Sequence, residues 1–320
     1  MNVPARRPDP VAERETPLVS VIVPTHDRPG ALSRCLAALA RLDYPAGCYE
    51  VLVVDDGSDP PIDPAAFRVG RTARWLRQPN GGPASARNAG LAAAAGDIVA
   101  FTDDDCEPDP GWLDALVDAI GRAPEALVGG RTVNALESNA CAEASQAIVD
   151  GARDWMRASG SEFRFHPANN LAARAAVLRS LRGFDPSFRT AEDRELADRW
   201  IRSGRPLVDA DGAIVRHRHE MRLGGFWRQH VGYGRGAKRL HAARRRRGGG
   251  RFRPSLSYCW RALRDRRLAV PPSGTVTRLA LLGVWMAANA TGYALQWFAD
   301  CTRRATAGRG ARRDRVREAR

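Results

Sequence analysis

Apolar residues along the chain follow two rhythms. The first is a short unbroken run, seen in Leu18-Val19-Ser20-Val21-Ile22-Val23, Glu50-Val51-Leu52-Val53-Val54 and Asp97-Ile98-Val99-Ala100-Phe101-Thr102. Runs of this kind predict strands covered on both faces, as in a parallel sheet. The second rhythm is helical: Leu32, Leu36, Leu39 and Leu42 recur at that spacing between Pro29 and Leu42, and another helical segment runs from Pro83 to Ala95. Strand, helix and strand in succession make a β-α-β unit, and the second helix leads into a third strand. Further on, Asp109-Pro110 predicts an N-cap followed by Pro at the first helical position. Thr190 opens a helix running to about Ser203 with Gly204 as its stop, and Gly212-Ala213-Ile214-Val215 reads as a strand.

Carboxylates gather where these strands end. Asp103-Asp104-Asp105 closes the third run, Asp55-Asp56-Gly57-Ser58 the second, and Pro24-Thr25-His26 the first. Three strand ends on one edge of a parallel sheet form the crevice where open α/β sheets bind ligands. Adjacent carboxylates raise one another's pKa unless something positive sits between them. A divalent cation with oxygen ligands, its shell completed by phosphate, answers that need. The competing reading, a solvated acidic turn, fits each cluster singly but not the set.

Three more segments carry chemistry and an ordinary alternative each. Gly81-Gly82-Pro83 ahead of Arg87 lets backbone and a helix N-terminus approach an anion, or simply caps a helix. Glu192-Asp193 sits in a first helical turn, where acidic residues commonly complement the dipole. His217 and His219 lie on the same side of an extended chain and can face one site, or be plain surface chemistry.

Taken in order, these motifs resemble the family 2 glycosyltransferases. The resemblance covers Leu18 to His219 and rests on Val21-Ile22-Val23-Pro24-Thr25, Val53-Val54-Asp55-Asp56-Gly57-Ser58, Asn80 to Gly90, Phe101 to Asp105, Asn169-Asn170-Leu171-Ala172, Gly183-Phe184-Asp185 and Glu192-Asp193. It implies the GT-A nucleotide-diphospho-sugar transferase fold, an α/β architecture with a mostly parallel sheet flanked by helices and, here, a basic helical C-terminal extension. It further implies an inverting, metal-dependent transfer of a sugar from a nucleoside-diphosphate donor to an acceptor hydroxyl. By that resemblance Asp193 is the catalytic base. Pro24, Thr25, Asp55, Gly82, Arg87, Asp103, Asp104, Asn170 and Glu192 bind the nucleotide sugar, with Asp55 on the nucleobase and ribose. Asp105 and Asp103 ligate Mn2+ or Mg2+, joined by His217 or His219. A Gln-x-x-Arg-Trp motif of processive synthases is not found, so transfer of one or a few sugars is expected.

Charge divides the molecule. Residues 221–320 carry 24 Lys/Arg against 4 Asp/Glu, a balance of +20, whereas residues 1–220 carry 26 against 32, a balance of −6. That asymmetry points the C-terminal part toward an anionic surface. No zinc finger or RNA-recognition signature accompanies it, so a specific nucleic acid partner is not expected. Leu279 to Ala299 is free of formal charge between Arg278 and Arg303 and is rich in interfacial aromatics. It predicts a spanning helix, an interfacial helix, or a helix packed on the enzyme. The six cysteines show no zinc spacing, and the Pro- and Arg-rich start has no apolar signal core. The expected division is a disordered tail at 1–16, a catalytic domain at 17–220, a basic helix and linker region at 221–274 with Arg244 to Gly250 as flexible linker, a hydrophobic helix at 275–300 and a basic tail at 301–320. The expected setting is the cytoplasmic face of the cell membrane, in cell-envelope glycan or glycolipid synthesis, with an acceptor that suits lipid linkage. Two rival readings are a nucleotidyltransferase of similar fold and a polyanion-binding protein acting through the basic third.

Overall fold

The computed structural model describes residues 16–67, 73–160, 163–249 and 274–318. Its elements run β1 (Val19–Thr25), α1 (Pro29–Leu39), β2 (Tyr49–Asp55), β3 (Arg74–Arg77), α2 (Pro83–Ala93), β4 (Ile98–Thr102), β5 (Cys106–Pro108), α3 (Trp112–Arg122), β6 (Leu127–Asn134), α4 (Ala140–Ala158), β7 (Asn170–Arg174), α5 (Ala175–Ser180), α6 (Glu192–Arg202), β8 (Leu207–His217), α7 (Leu223–Arg246) and α8 (Gly274–Glu318). Eight strands form one sheet in the order β3-β2-β1-β4-β7-β6-β8-β5. The pairs β2/β3, β1/β2, β1/β4 and β6/β8 are parallel, while β4/β7, β6/β7 and β5/β8 are antiparallel.

Alternation along β1 sends Val19, Val21 and Val23 to one face of the sheet and Ile22 to the other. The first set packs with Leu32, Leu36 and Leu39 of α1 and with Trp112, Leu113, Leu116 and Ile120 of α3. The second face holds Leu52, Val54 and Phe101 under Ala84, Ala86 and Leu91 of α2 and Leu196 and Trp200 of α6. Unbroken apolar strands are what this two-sided covering requires. One local expectation changes. The N-cap of α3 is Gly111 rather than Asp109. The Asp109 carboxylate instead takes Arg216 of β8 at 2.8 and 3.2 Å.

The C-terminal part differs more from its sequence reading. Arg244 to Arg247 are not a flexible linker: the first three close the last turn of α7. Arg244 reaches Asp198 of α6 at 2.9 Å, and Arg247 reaches Glu195 at 2.6 Å and Asp198 at 3.3 Å. Both carboxylates are almost fully buried, and buried charges require such partners. Helix α8 then lies alongside α7. Leu281 and Trp285 pack with Ile148, Met221 and Phe226, and Asp300 meets Lys238 at 3.0 Å. The helices cross closely at two glycines. A Cβ on Gly234 would strike the Asn289 carbonyl, and one on Gly292 the Val231 carbonyl.

Among the described residues no helix is long and apolar enough to cross a membrane, so the spanning alternative for Leu279 to Ala299 is set aside. One side of that segment is occupied by α7 and α4, and its buried Gln296 bonds Asp300 at 2.8 Å. The helix also continues past Arg303 to Glu318, across the boundary expected at residue 300. Residues 1–15, within the expected disordered tail, lie outside the described residues, as do 250–273.

Candidate active site

Register brings the acidic strand ends level. Thr25 lies opposite Asp55 on β2, and Ile22 opposite Phe101 on β4. Asp104 therefore emerges beside Thr25, whose hydroxyl donates to its carboxylate at 2.8 Å. Asn134 and Cys106 both lie opposite His217 on β8, which carries that histidine to the same edge. The edge opens into a cleft of about 550 Å³.

On one wall, ligand atoms of Asp105, His217 and His219 lie within 4.8 Å of one another. His217 Nε2 is 3.3 Å from Asp105 Oδ1, while Arg28 Nη1 is 2.9 Å from Oδ2. Burial alone would raise the Asp105 carboxyl, but the hydrogen bond from His217 and the charges of His217, Arg28 and His219 hold it far below its ordinary value. The bond to Asp105 keeps His217 above the usual imidazole range despite burial, and burial pushes His219 below it. Asp104 goes the other way: burial pushes it up to about 6, against the opposing charge of Arg28. The donor set, one carboxylate and two imidazoles, fits a divalent cation. Asp103 is not part of this cluster, because Arg87 draws its carboxylate away at 2.6 Å.

Another part of the cleft is built on the first turn of α6. Arg87, 3% exposed, bridges Asp103 and the buried Glu192, the latter at 2.7 Å. Burial raises the Glu192 carboxyl and Arg87 opposes it. Asp193 lines the cleft, its Oδ1 accepting from the Arg194 amide at 2.7 Å. The residue before this turn, Ala191, is held left-handed at φ 65°, a conformation that costs an alanine about 1 kcal/mol or more. Helix α7 fastens the loop: the Thr190 hydroxyl donates to the Gly232 carbonyl at 2.8 Å, and Gly236 leaves just enough room for Thr190 and Ala191. Gln229 and Tyr233 of α7 also line the cleft, linked at 3.0 Å.

Pro24, Thr25, Gly82, Arg87, Asp103, Asp104, Asp105, Glu192, Asp193, His217 and His219 all line this cleft. Two others turn inward. Asp55 does not line it: its carboxylate takes the Ser58 amide at 2.8 Å and Arg77 at 3.1 Å. The neighbouring Asp56 faces the cleft instead and accepts the amides of Gly81 and Gly82, each at 2.8 Å. Those glycine donors, expected to meet a ligand anion, thus already hold a carboxylate of the protein. Asn170 is fully buried. It accepts from the Trp112 indole at 2.9 Å and donates to the carbonyls of Arg131 and Ala213. Asn169 is the one that reaches the cleft.

Of the residues the sequence reading passed over, Asp56 and Asn169 stood beside the chosen ones, each just outside its strand, where alternation no longer fixes which way a side chain faces. Arg28 stood at the foot of α1 without a motif. Gln229 and Tyr233 come from a helix whose place against the cleft no local pattern announces.

Comparison with known proteins identifies the family and the fold. The sequence profile of Glycosyl transferase family 2 matches residues 20–181. The Pre-mycofactocin glycosyltransferase of Mycobacterium tuberculosis is 33% identical over 229 residues, 69% of this chain. The chain spans only 47% of that relative's length. Among solved structures, a mannosyltransferase from Pyrobaculum calidifontis, in complex with GDP-Man and Mn2+, superposes with a TM-score of 0.55 at 22% identity, covering 87% of this chain and 80% of that one. TarS 1-349 of S. aureus in complex with UDP-GlcNAc gives 0.50 at 19% identity, over 86% and 89%. These two likenesses establish a GT-A fold.

Proposed function

Because the chain belongs to Glycosyl transferase family 2, we propose that it moves a sugar from a nucleoside-diphosphate donor to an acceptor hydroxyl, with a divalent cation and with inversion. The observation that carries this reading is the presence of two chemistries in one cleft. The Asp105, His217 and His219 group and the Asp193 carboxylate all line it.

Asp105, His217 and His219 would hold the cation. When bound, it neutralises charge on the departing diphosphate. A set with two nitrogen donors suits Mn2+ better than Mg2+. Asp193 accepts the proton of the acceptor hydroxyl as its oxygen bonds to the anomeric carbon. The bond from that carbon to the diphosphate oxygen breaks with its electron pair leaving on oxygen, from the face opposite the attack. Arg87 holds Glu192 at 2.7 Å and with it the first turn of α6, which fixes the direction of the Asp193 carboxylate. Arg28 and Arg189 line the cleft and add positive charge where the diphosphate sits. The working location is taken as the cytoplasmic face of the cell membrane, and the product as a cell-envelope glycan or glycolipid. The basic C-terminal third supports that assignment.

The test is a screen of nucleotide sugars with Mn2+ and Mg2+, reading the phosphate product and the anomer formed. Release of nucleoside diphosphate with an inverted product is expected. Release of pyrophosphate, or a retained anomer, would overturn the reading.

A further inference from the structure

From Leu279 to Ala299, α8 carries no charged residue. Among its exposed positions are Val276, Leu279, Met286, Leu295, Trp297 and Phe298, with small residues such as Gly283, Ala290 and Ala294 between them. At 100° per residue all of these but Leu295 fall on the side away from Leu281, Ala288, Gly292 and Gln296, which are buried. At 1.5 Å per residue the stripe from Val276 to Phe298 is about 33 Å long. Single exposed apolar side chains are ordinary, but a continuous band of this kind marks an interaction surface. Leu223 and Trp227 of α7 add to it, being 55% and 37% exposed at the end of that helix that packs on Leu281. Its borders are positive: Arg222 and Arg228 are exposed on α7, and Arg303 is exposed where the stripe ends. Asp300 is shared between Lys238 at 3.0 Å and Arg303 at 3.3 Å, and Glu220 is exposed before Arg222.

We propose that this stripe rests on an anionic lipid surface. Helix α8 lies in the plane of the bilayer with Leu279, Met286, Trp297 and Phe298 among the acyl chains and the bordering arginines among the headgroups. Charge decides between the occupants. Anionic headgroups neutralise the borders, at roughly 1 kcal/mol per basic residue close to the surface. A second copy related by a two-fold axis would set arginine borders against arginine borders. Burial of one side of α8 on the enzyme leaves it as an interfacial element, apolar outward and polar at its margins.

The placement also bears on the acceptor, and this step rests on the glycosyl-transfer reading. Met221 and Gln229 line the cleft, each two residues from an exposed member of the stripe, Leu223 and Trp227. The wall of the cleft made by α4 and α7 therefore adjoins the lipid-facing stripe. An acceptor entering there is an amphiphile: a hydroxyl-bearing head inside the cleft on an apolar anchor that stays in the membrane.

The test is sedimentation of the full chain with phosphatidylcholine vesicles, with and without about a quarter phosphatidylglycerol, in the absence of any donor. The parent should bind the anionic vesicles, more weakly in high salt. Met286→Glu combined with Phe298→Glu should lower that binding at least tenfold. Both sites are more than half exposed, so circular dichroism and the unfolding midpoint should not change. Equal binding by parent and double variant would overturn the proposal. So would a parent that ignores anionic vesicles and forms a dimer split by the same substitutions, since a second copy would then cover the stripe. No donor enters this measurement, so its outcome stands apart from that of the nucleotide-sugar screen.

Discussion

His217 Nε2 stands 3.3 Å from Asp105 Oδ1, joining the end of β8 to the turn after β4. The imidazole is not alone there, because His219 and Arg28 converge on the same carboxylate. The group is prepared for a positive centre, and Arg28 supplies one from the protein itself.

A cation should therefore compete with Arg28 for Asp105. Asp105→Asn is expected to abolish Mn2+-dependent turnover while leaving the fold intact, and His217→Ala to raise the Mn2+ concentration needed at least tenfold. Titration of Mn2+ into chelator-treated enzyme checks both, and full turnover in excess chelator would remove the metal from the reaction.

Replacement of the proposed base should separate binding from chemistry. Asp193→Asn should bind nucleoside diphosphate as the parent does and lose ~100- to 10,000-fold in transfer. Calorimetry with the free nucleotide beside a transfer assay distinguishes the two effects.

Two adjacent asparagines should give opposite phenotypes. Asn170→Ala leaves the Trp112 indole and two carbonyls unsatisfied in the core, at a cost of about 1–3 kcal/mol for each such group. It should lower the unfolding midpoint markedly. Asn169→Ala changes a cleft residue and should alter activity with little change in stability. Denaturant melts and initial rates on the pair decide it.

His230 makes the fold acid-sensitive. It is fully buried against Phe226, and no hydrogen bond reaches either ring nitrogen. Burial pushes its pKa down to about 4, with Arg194 adding to the effect. The unfolded chain binds this proton near pH 6.5, so stability is lost as pH falls from there toward 4, by up to about 1.4 kcal/mol per unit. His166, also held low by burial, acts in the same direction. Denaturant midpoints at pH 7.5 and 5 should differ by more in the parent than in His230→Phe.

Much of this was legible in the sequence because it depended on short-range order. The buried strands were announced by uninterrupted apolar runs, and the cleft by acids at their ends. What failed was the side on which a residue faces once its strand has ended. Asp55 and Asn170 were each chosen over the neighbour that lines the cleft, since a turn resets the alternation that a strand enforces. The arginine run at 244–247 was misjudged for a different reason. Its partners, Glu195 and Asp198, sit on a helix far away in the chain, and a count of charge does not show which charges are already paired.

That arginine clasp also fixes how small the protein can be made. A piece ending at residue 181, where the family profile stops, loses α6 and the proposed base. One ending at residue 220 keeps α6 but strips Glu195 and Asp198 of Arg244 and Arg247, leaving acids in the interior with part of their counter-charge gone. The loop at Thr190 and Ala191 would lose its anchor to α7 in the same cut. The shortest autonomous piece should therefore extend to at least residue 249, and any chimera that exchanges tails should be joined beyond that point.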